Sequence, residues 1–438
     1  MRSQATKSPK SIVLYFQVHQ PTRLRHFSFF DIGSGESHFD DGHNRDVIRR
    51  VAQNCYLPTN AMLLNLISRH PEVKVAFSIS GSAIDQFKAY APEVLESFKA
   101  LAMTSSVEFL AETDHHALAC LVPGDEFELQ VLDHVARLHE HFGVRPTIFR
   151  NTELIYNNEV ATRAEALGFR GILADGSERL LHGRSPHHLY LAPGDGMKLL
   201  LRNYQLSDDI AFRFIQNGRA LTVSKYLSWL NAMPAEQDLV LLGMDYETFG
   251  EHHRDANILL FLENLLKNLA QHRTLQMRTP SEAIAHHQPA ATLDVPQYTS
   301  WADQERDLSA WLGNDMQNDA FESLLRLEQD VRRTNDAALL DHWRRLQTSD
   351  HFYYMSTKKN ADGNVHAYFS PYNSPYEAFI NYMNVLQDFT LIVKNKVESL
   401  KEETATTVRA ETERRDAHVP KWAMALPSNY DHPEGVKA

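Results

Sequence analysis

Seven short apolar runs rich in strand-forming residues recur between Ser11 and Glu247. They are IVLYFQVH (12–19), VKVAFSIS (73–80), VEFLAET (107–113), TIFRNTEL (147–154), RGILADG (170–176), KLLLRNYQL (198–206) and LVLLGMDYE (239–247). Continuous apolar character, rather than alternation, predicts strands covered on both faces, as in parallel sheets. The spacers between them predict helices over 85–100, 125–141, 158–167 and 223–233. In the second of these, Glu126, Leu129, Leu132, Val135, Leu138 and Phe142 form a stripe at helical spacing with one charged member. Repeated strand–helix units predict an α/β barrel or a doubly wound sheet.

Where the polar residues fall favours the barrel. Nearly every run ends in a potentially functional group: His19, Ser80–Gly81, Thr113–Asp114–His115, Glu153, Asp175, Asn203 and Asp245. In a parallel barrel all strand C-termini open onto one face, so these groups would converge there. Two spacers are unusual. Residues 21–58 (HFSFFDIG and HFDDGHNRD within them) and 177–197 (GRSPHHLYLAPGDG) are predicted as long loops that wall or cover a site.

After Asp255 the pattern becomes helical, over 256–272, 309–333 and 377–400, with an aromatic link near 351–376. The expected division is a barrel at 11–290, a helical domain at 291–400 that completes the cleft, and a charged, partly disordered tail at 401–438. The net charge of −12 argues against a nucleic-acid partner, which needs a basic surface. Two cysteines, Cys55 and Cys120, build neither a disulfide framework nor a cysteine zinc site. No leader-like apolar core follows the basic start and no run approaches membrane-spanning length, so the expectation is a cytoplasmic protein without a membrane partner.

The chemistry concentrates in two stretches. Glu153 ends a strand among apolar and aromatic residues in IFRNTELIY, with Arg150 close in sequence. Asp245 and Glu247 follow another strand in MDYETFGEHH. Glycosidic bond cleavage needs two carboxyl groups, one protonated and one ionised, whose environments push their pKa values apart. Repulsion from Glu247 is expected to keep Asp245 protonated.

His19-Gln20-Pro21 after the first strand, a Gly-led turn after the second, Glu153 in FRNTELIY and Asp245 in MDYETFGEH resemble glycoside hydrolase family 57, and its α-amylase-like branch more than its branching-enzyme branch. The resemblance covers roughly residues 11–400. It implies an incomplete, seven-fold (β/α)7 relative of the TIM barrel followed by a helical domain. It also implies retaining chemistry on α-1,4-glucans or maltooligosaccharides without a metal or other cofactor. Glu153 would be the nucleophile and Asp245 the general acid/base, with carboxylates about 5–5.5 Å apart. His19 would contact the sugar at the subsite where the glycosyl-enzyme forms. Asp85, Asp114, His115, Tyr246, Glu247, His252, Trp301 and Asp303 complete the expected substrate-binding set. One departure stands out: the family usually has Gly, three residues, then Glu, where this chain has Gly81 and Asp85. Trp301, beside Asp303, is the expected stacking platform, while Trp311 falls in an apolar helical stripe and is expected in the core.

Other readings remain open on the sequence. The same residues serve a 4-α-glucanotransferase, because hydrolysis and transfer share the covalent intermediate. His19, Asp114, His115 and His116 offer imidazole and carboxylate ligands for a metal-dependent polysaccharide deacetylase. That reading leaves Glu153 and Asp245 without a use as a pair. A non-catalytic α-glucan-binding protein is the third alternative.

Overall fold

A computed structural model describes residues 9–194, 196–254, 257–358 and 370–417. All seven runs are strands: β1 Lys10–Val18, β2 Val75–Ile79, β3 Val107–Leu110, β4 Ile148–Arg150, β5 Gly171–Asp175, β6 Lys198–Arg202 and β7 Leu239–Asp245. They pair in parallel in the order β3-β2-β1-β7-β6-β5-β4. The ends of that sheet meet at Ala111, which bridges Phe149. Its N–H donates to the Ile148 carbonyl at 3.0 Å, and its carbonyl accepts from Arg150 N–H at 2.8 Å. The result is a nearly closed seven-stranded barrel ringed by helices. The seam between β7 and β6 is also thin, with Leu241 and Arg202 as its one registered pair.

Burial on both sides explains the unbroken apolar runs, but each strand still alternates. In β1, Ile12, Leu14, Phe16 and Val18 join the core beneath the outer helices, while Val13 and Tyr15 join an inner core with Ala76, Leu110, Ile148, Leu173, Leu200 and Leu241. Gly243 in β7 lies against the Tyr15 ring, and a Cβ there would fall well inside contact distance of it. Gly243→Ala is therefore expected to destabilise the chain by roughly 1–3 kcal/mol through overpacking, read as a lower denaturation midpoint with an unchanged slope.

Several expected elements differ. The helix predicted over 85–100 is two helices, Gly81–Tyr90 and Pro92–Ala102. Ala91 between them has φ −150°, because a residue before proline is driven out of the helical region. Much of the loop predicted over 21–58 is helical: Asp41–Val51, capped by Asp40, runs through a π-helical turn at Ala52–Tyr56 into Leu57–Arg69. Leu132 is 50% exposed, so the stripe on Glu126–Phe142 bends away from it. The expected core helix residue Trp311 is buried. The last long helix, Pro375–Ala417, extends into the charged stretch expected as a partly disordered tail from residue 401. Residues 418–438 of the predicted tail lie outside the described residues. Among the described residues no helix is long and apolar enough to cross a membrane.

Helices after the barrel share one core with its β3–β5 side. Trp343, Phe352, Tyr382 and Phe389 pack in the same cluster as Phe127, Phe149 and Ile172. That packing carries Asp350, on the helix Ser349–Tyr353, to the mouth of the barrel.

Candidate active site

Extending the inward alternation of each strand by one step defines a polar layer at the C-terminal end of the barrel. The sequence Val13–Tyr15–Gln17 on β1 is matched by Ala76–Ser78, Leu110–Glu112, Ile148–Arg150, Leu173–Asp175, Leu200–Arg202 and Leu241–Gly243–Asp245. Gln17 sits in register with Asp245. Seven strands thus deliver three carboxyl groups and two guanidinium groups to one level, above an apolar floor. Arg202 donates to the Gly243 carbonyl (2.7 Å), Asp175 (3.1 Å) and Asp208 (2.5 Å), filling the loose β6–β7 seam.

Glu153 sits one turn beyond β4, where Glu153 and Leu154 both take the left-handed backbone region (φ 56° and 50°). That conformation costs an L residue of order 1 kcal/mol, so local contacts must hold it. Trp301 supplies them twice: its backbone N–H donates to the Glu153 carbonyl (3.2 Å) and its indole Nε1–H to Oε2 (2.6 Å). The indole is held in turn by the guanidinium groups of Arg150 and Arg202, 5.0 and 5.3 Å from its ring centre.

The other Glu153 oxygen, Oε1, meets His116 Nε2 at 3.0 Å, and His116 Nδ1 meets Glu112 at 2.8 Å. Glu112 also accepts from Gln17 Nε2 (3.2 Å) and Ser78 Oγ (3.1 Å). A carboxylate only accepts, so a ring nitrogen facing each of two carboxylates must carry a proton at both positions. Burial disfavours that cation, but Glu112 and Glu153 outweigh it and raise His116 to about 9. Burial likewise pushes Glu153 up, and the His116 contact more than reverses it, leaving Glu153 below the usual carboxylate range.

Asp245 goes the opposite way. Burial first, and then the negative charge of Glu153, raise it to about 6, against the pull of Arg150 and Arg202. The expected cause was Glu247, so the source of the repulsion is corrected: Glu153 across the barrel is the partner that matters. Glu247 instead points beneath the turn, accepts from the Tyr56 hydroxyl, and is raised to about 8 by burial and by Asp245.

His19 stacks on His116 with centroids 3.9 Å apart. Its Nε2 meets Asp350 at 2.9 Å and its Nδ1 meets Ser80 Oγ at 2.7 Å. Burial and the neighbouring His116 charge lower its pKa, so a neutral His19 donates to Asp350 and accepts from Ser80.

The remaining expected residues fall elsewhere. Asp85 and Asp114 share Arg137, at 2.5 and 2.8 Å, in a separate ion cluster. Gly81 leaves room for that cluster, since a Cβ there would collide with Asp114. The Gly81–Asp85 pattern therefore serves this packing, in which Asp85 pairs with Arg137. His115 faces Asp114 and Asp341, each at 3.6 Å. The left-handed φ of 51° at His116 turns the two adjacent imidazoles apart, so His116 takes the place expected of His115. Tyr246 is buried among Phe16, Phe77 and Phe98 and donates to Asn60. Asp303 pairs with Lys358 at 2.7 Å. His252 lies half-buried beside His253 and Glu251, and burial drives it down to about 4. His19, Asp114, His115 and His116 do not converge as a ligand set, and among the described residues no cluster of three or more such side chains does.

Sequence reading missed Glu112, His116 as the Glu153 partner, and Asp350. Glu112 was findable, because the period-two pattern carries Leu110 to it. Asp350 was not: it comes from a helix 331 residues after His19.

A strand-end carboxylate of lowered pKa and a second carboxyl of raised pKa, both at the open end of a parallel barrel, are the pair of groups that acid/base glycosidase chemistry needs. The chain belongs to glycosyl hydrolase family 57, whose model matches residues 13–296. A Methanocaldococcus jannaschii protein described as "Putative alpha-amylase" is 41% identical over 399 residues, covering 87% of this chain and 85% of that relative. The fold is similar to the α-amylase AmyC from Thermotoga maritima (TM-score 0.62, 12% identity, 89% of this chain and 94% of the other). It is equally similar to 4-α-glucanotransferase from Thermococcus litoralis (TM-score 0.62, 14% identity, 79% of this chain). The chain spans only 56% of that transferase. The protein is a glycoside hydrolase.

Proposed function

We infer that the chain cleaves α-1,4-glucans by retaining, α-amylase-type chemistry, with Glu153 as nucleophile and Asp245 as general acid/base. The opposed protonation of these two groups carries the reading: Glu153 is held below the usual carboxylate range and Asp245 at about 6. The bound glucan places its scissile C1 between them. A Glu153 oxygen forms a bond to C1 as the C1–O glycosidic bond breaks, and the departing oxygen takes the proton from Asp245. Asp245, now ionised, then accepts a proton from water as the water oxygen attacks C1 and releases Glu153. His116 stays protonated throughout and holds Glu153 in place, while Asp350, fixed by His19, offers a carboxylate oxygen to sugar hydroxyls.

Incubation with a defined maltooligosaccharide, followed by product separation, tests this. The expected result is shorter products in the wild type and none in Glu153→Gln with its fold intact. Longer products beside the short ones would make the activity transfer rather than hydrolysis. Intact substrate with tight binding would leave only a glucan-binding protein.

The role of His116 gives a further expectation. His116→Asn removes the cation that lowers Glu153, so Glu153 ionises at higher pH. Activity requires the ionised form, so the acid limb of the kcat/KM profile should move upward in pH. An unmoved acid limb would separate His116 from the nucleophile.

A further inference from the structure

The order of strands around the barrel divides the site in two. Glu153 on the β4 side and Asp245 on β7 face each other, and one arc between them holds β3, β2 and β1. That arc carries Glu112, His116, Ser80 and His19, the groups assigned above to the nucleophile and to the sugar bound to it. The other arc, β6 and β5, carries none of those groups, and it too borders Asp245, the group that protonates the leaving oxygen. The departing sugar, or the acceptor that replaces it, therefore belongs against β5 and β6.

The structure places a rigid aromatic group there. Tyr204 follows β6 as the first residue of the helix Tyr204–Ala211, capped by the Asn203 side chain. The Arg306 guanidinium lies 4.9 Å from the centre of its ring. Arg306 comes from the same loop as Trp301, in a left-handed conformation (φ 52°), and donates to the Trp301 carbonyl. It also approaches Asp175 at 3.6 Å and Asp208 at 3.7 Å, the two acids that hold Arg202. Tyr204 remains half-buried rather than enclosed. A flat ring, backed by a guanidinium that three neighbours fix, presents the kind of surface on which the apolar face of a glucose ring stacks. Its position was hidden in sequence, because the run KLLLRNYQL reads as strand through Leu206, whereas the strand stops at Arg202.

We propose that Tyr204, backed by Arg306, is the stacking platform of the leaving-group and acceptor subsite, and so sets how well the enzyme takes long glucans and sugar acceptors. The proposal rests on the assignment of Glu153 and Asp245 given above. A pre-organised plate at this position binds the acceptor sugar in place of bulk water after the glycosyl-enzyme forms. It thereby biases the second step toward transfer when acceptor is abundant.

Two donors test it. Maltoheptaose needs the subsite, because a sugar must leave through it. An α-maltosyl fluoride does not, because the C1–F bond breaks with only fluoride leaving as Glu153 attacks. In Tyr204→Ala, kcat/KM on maltoheptaose should fall about tenfold more than on the fluoride, in line with the loss of one stacking contact. Addition of glucose as acceptor should also divert less of the fluoride into longer products than in the wild type. Tyr204→Phe keeps the ring and should restore the wild-type ratio between donors. Equal losses on both donors, or no loss on either, would overturn the platform while leaving the catalytic pair standing. A wild-type chain that releases fluoride no faster than Glu153→Gln would instead overturn the catalytic assignment, and the subsite with it.

Discussion

Glu153→Gln is expected to lose about 10⁴- to 10⁶-fold in kcat on α-1,4-glucan while keeping its thermal unfolding midpoint close to that of the wild type. The amide is nearly isosteric, and its oxygen can still accept from Trp301 Nε1–H or from His116, the two donors that meet Glu153 at 2.6 and 3.0 Å. What it cannot do is attack C1 as an anion. The loss should sit in kcat rather than KM, because the interaction removed forms only on the way to the transition state. Substrate binding by calorimetry should therefore persist. The substitution also removes the negative charge that helps raise Asp245. In Glu153→Gln, the Asp245 carboxyl should titrate at a lower pH than in the wild type, a shift readable by carboxyl NMR. An unchanged Asp245 titration would mean that the two groups are not coupled.

The second large effect concerns Asp245. Its folded pKa, raised to about 6, means that the proton required for leaving-group departure is present below about pH 6 and lost above it. For an ordinary glucan, kcat/KM should therefore decline as pH rises through about 6. On the acid side it should decline below the usual carboxylate range, where Glu153 gains its proton. Asp245→Asn should cost about 10²- to 10⁴-fold in kcat and remove the basic limb altogether. A donor whose leaving group needs no proton should suffer far less in the first step. A basic limb that survives in Asp245→Asn would assign it to another group.

How much of this the sequence disclosed depends on whether the cause was local. The seven strands were readable because burial on both faces leaves unbroken apolar runs, such as IVLYFQVH and LVLLGMDYE. Glu153 and Asp245 were readable because strand ends on one barrel face converge by geometry alone. The break at Pro92 was also written in the chain, since proline constrains the residue before it, and a continuous helix over 85–100 ignored that signal. The choice between His115 and His116 was not legible. It turns on one left-handed residue, and no composition rule fixes φ at His116. The environment of Asp245 was misjudged for a similar reason. Glu247 lies two residues away in sequence but is raised to about 8 and so is mostly neutral near pH 7, while Glu153, 92 positions earlier, carries the charge that acts on Asp245. Asp350 required the packing of the whole helical region to reach His19.

The polar layer also explains why the site needs so many charges. Arg150 and Arg202 both lie against Trp301 and restrain Asp245 from rising further, and Arg150 assists in keeping Glu153 ionised. Two carboxyl groups in one cavity would otherwise share a single proton without preference. Here His116 donates to Glu153, and that asymmetry separates the proposed acid from the proposed nucleophile.

The most direct test of the central claim is the anomeric configuration of the product as it first forms. Proton NMR during the opening minutes of maltooligosaccharide cleavage, before mutarotation, distinguishes the two anomers at the new reducing end. Double displacement through Glu153 predicts that the α anomer appears first and the β anomer grows in later. Initial appearance of the β anomer would mean a single displacement by water, and Glu153 would not be the nucleophile.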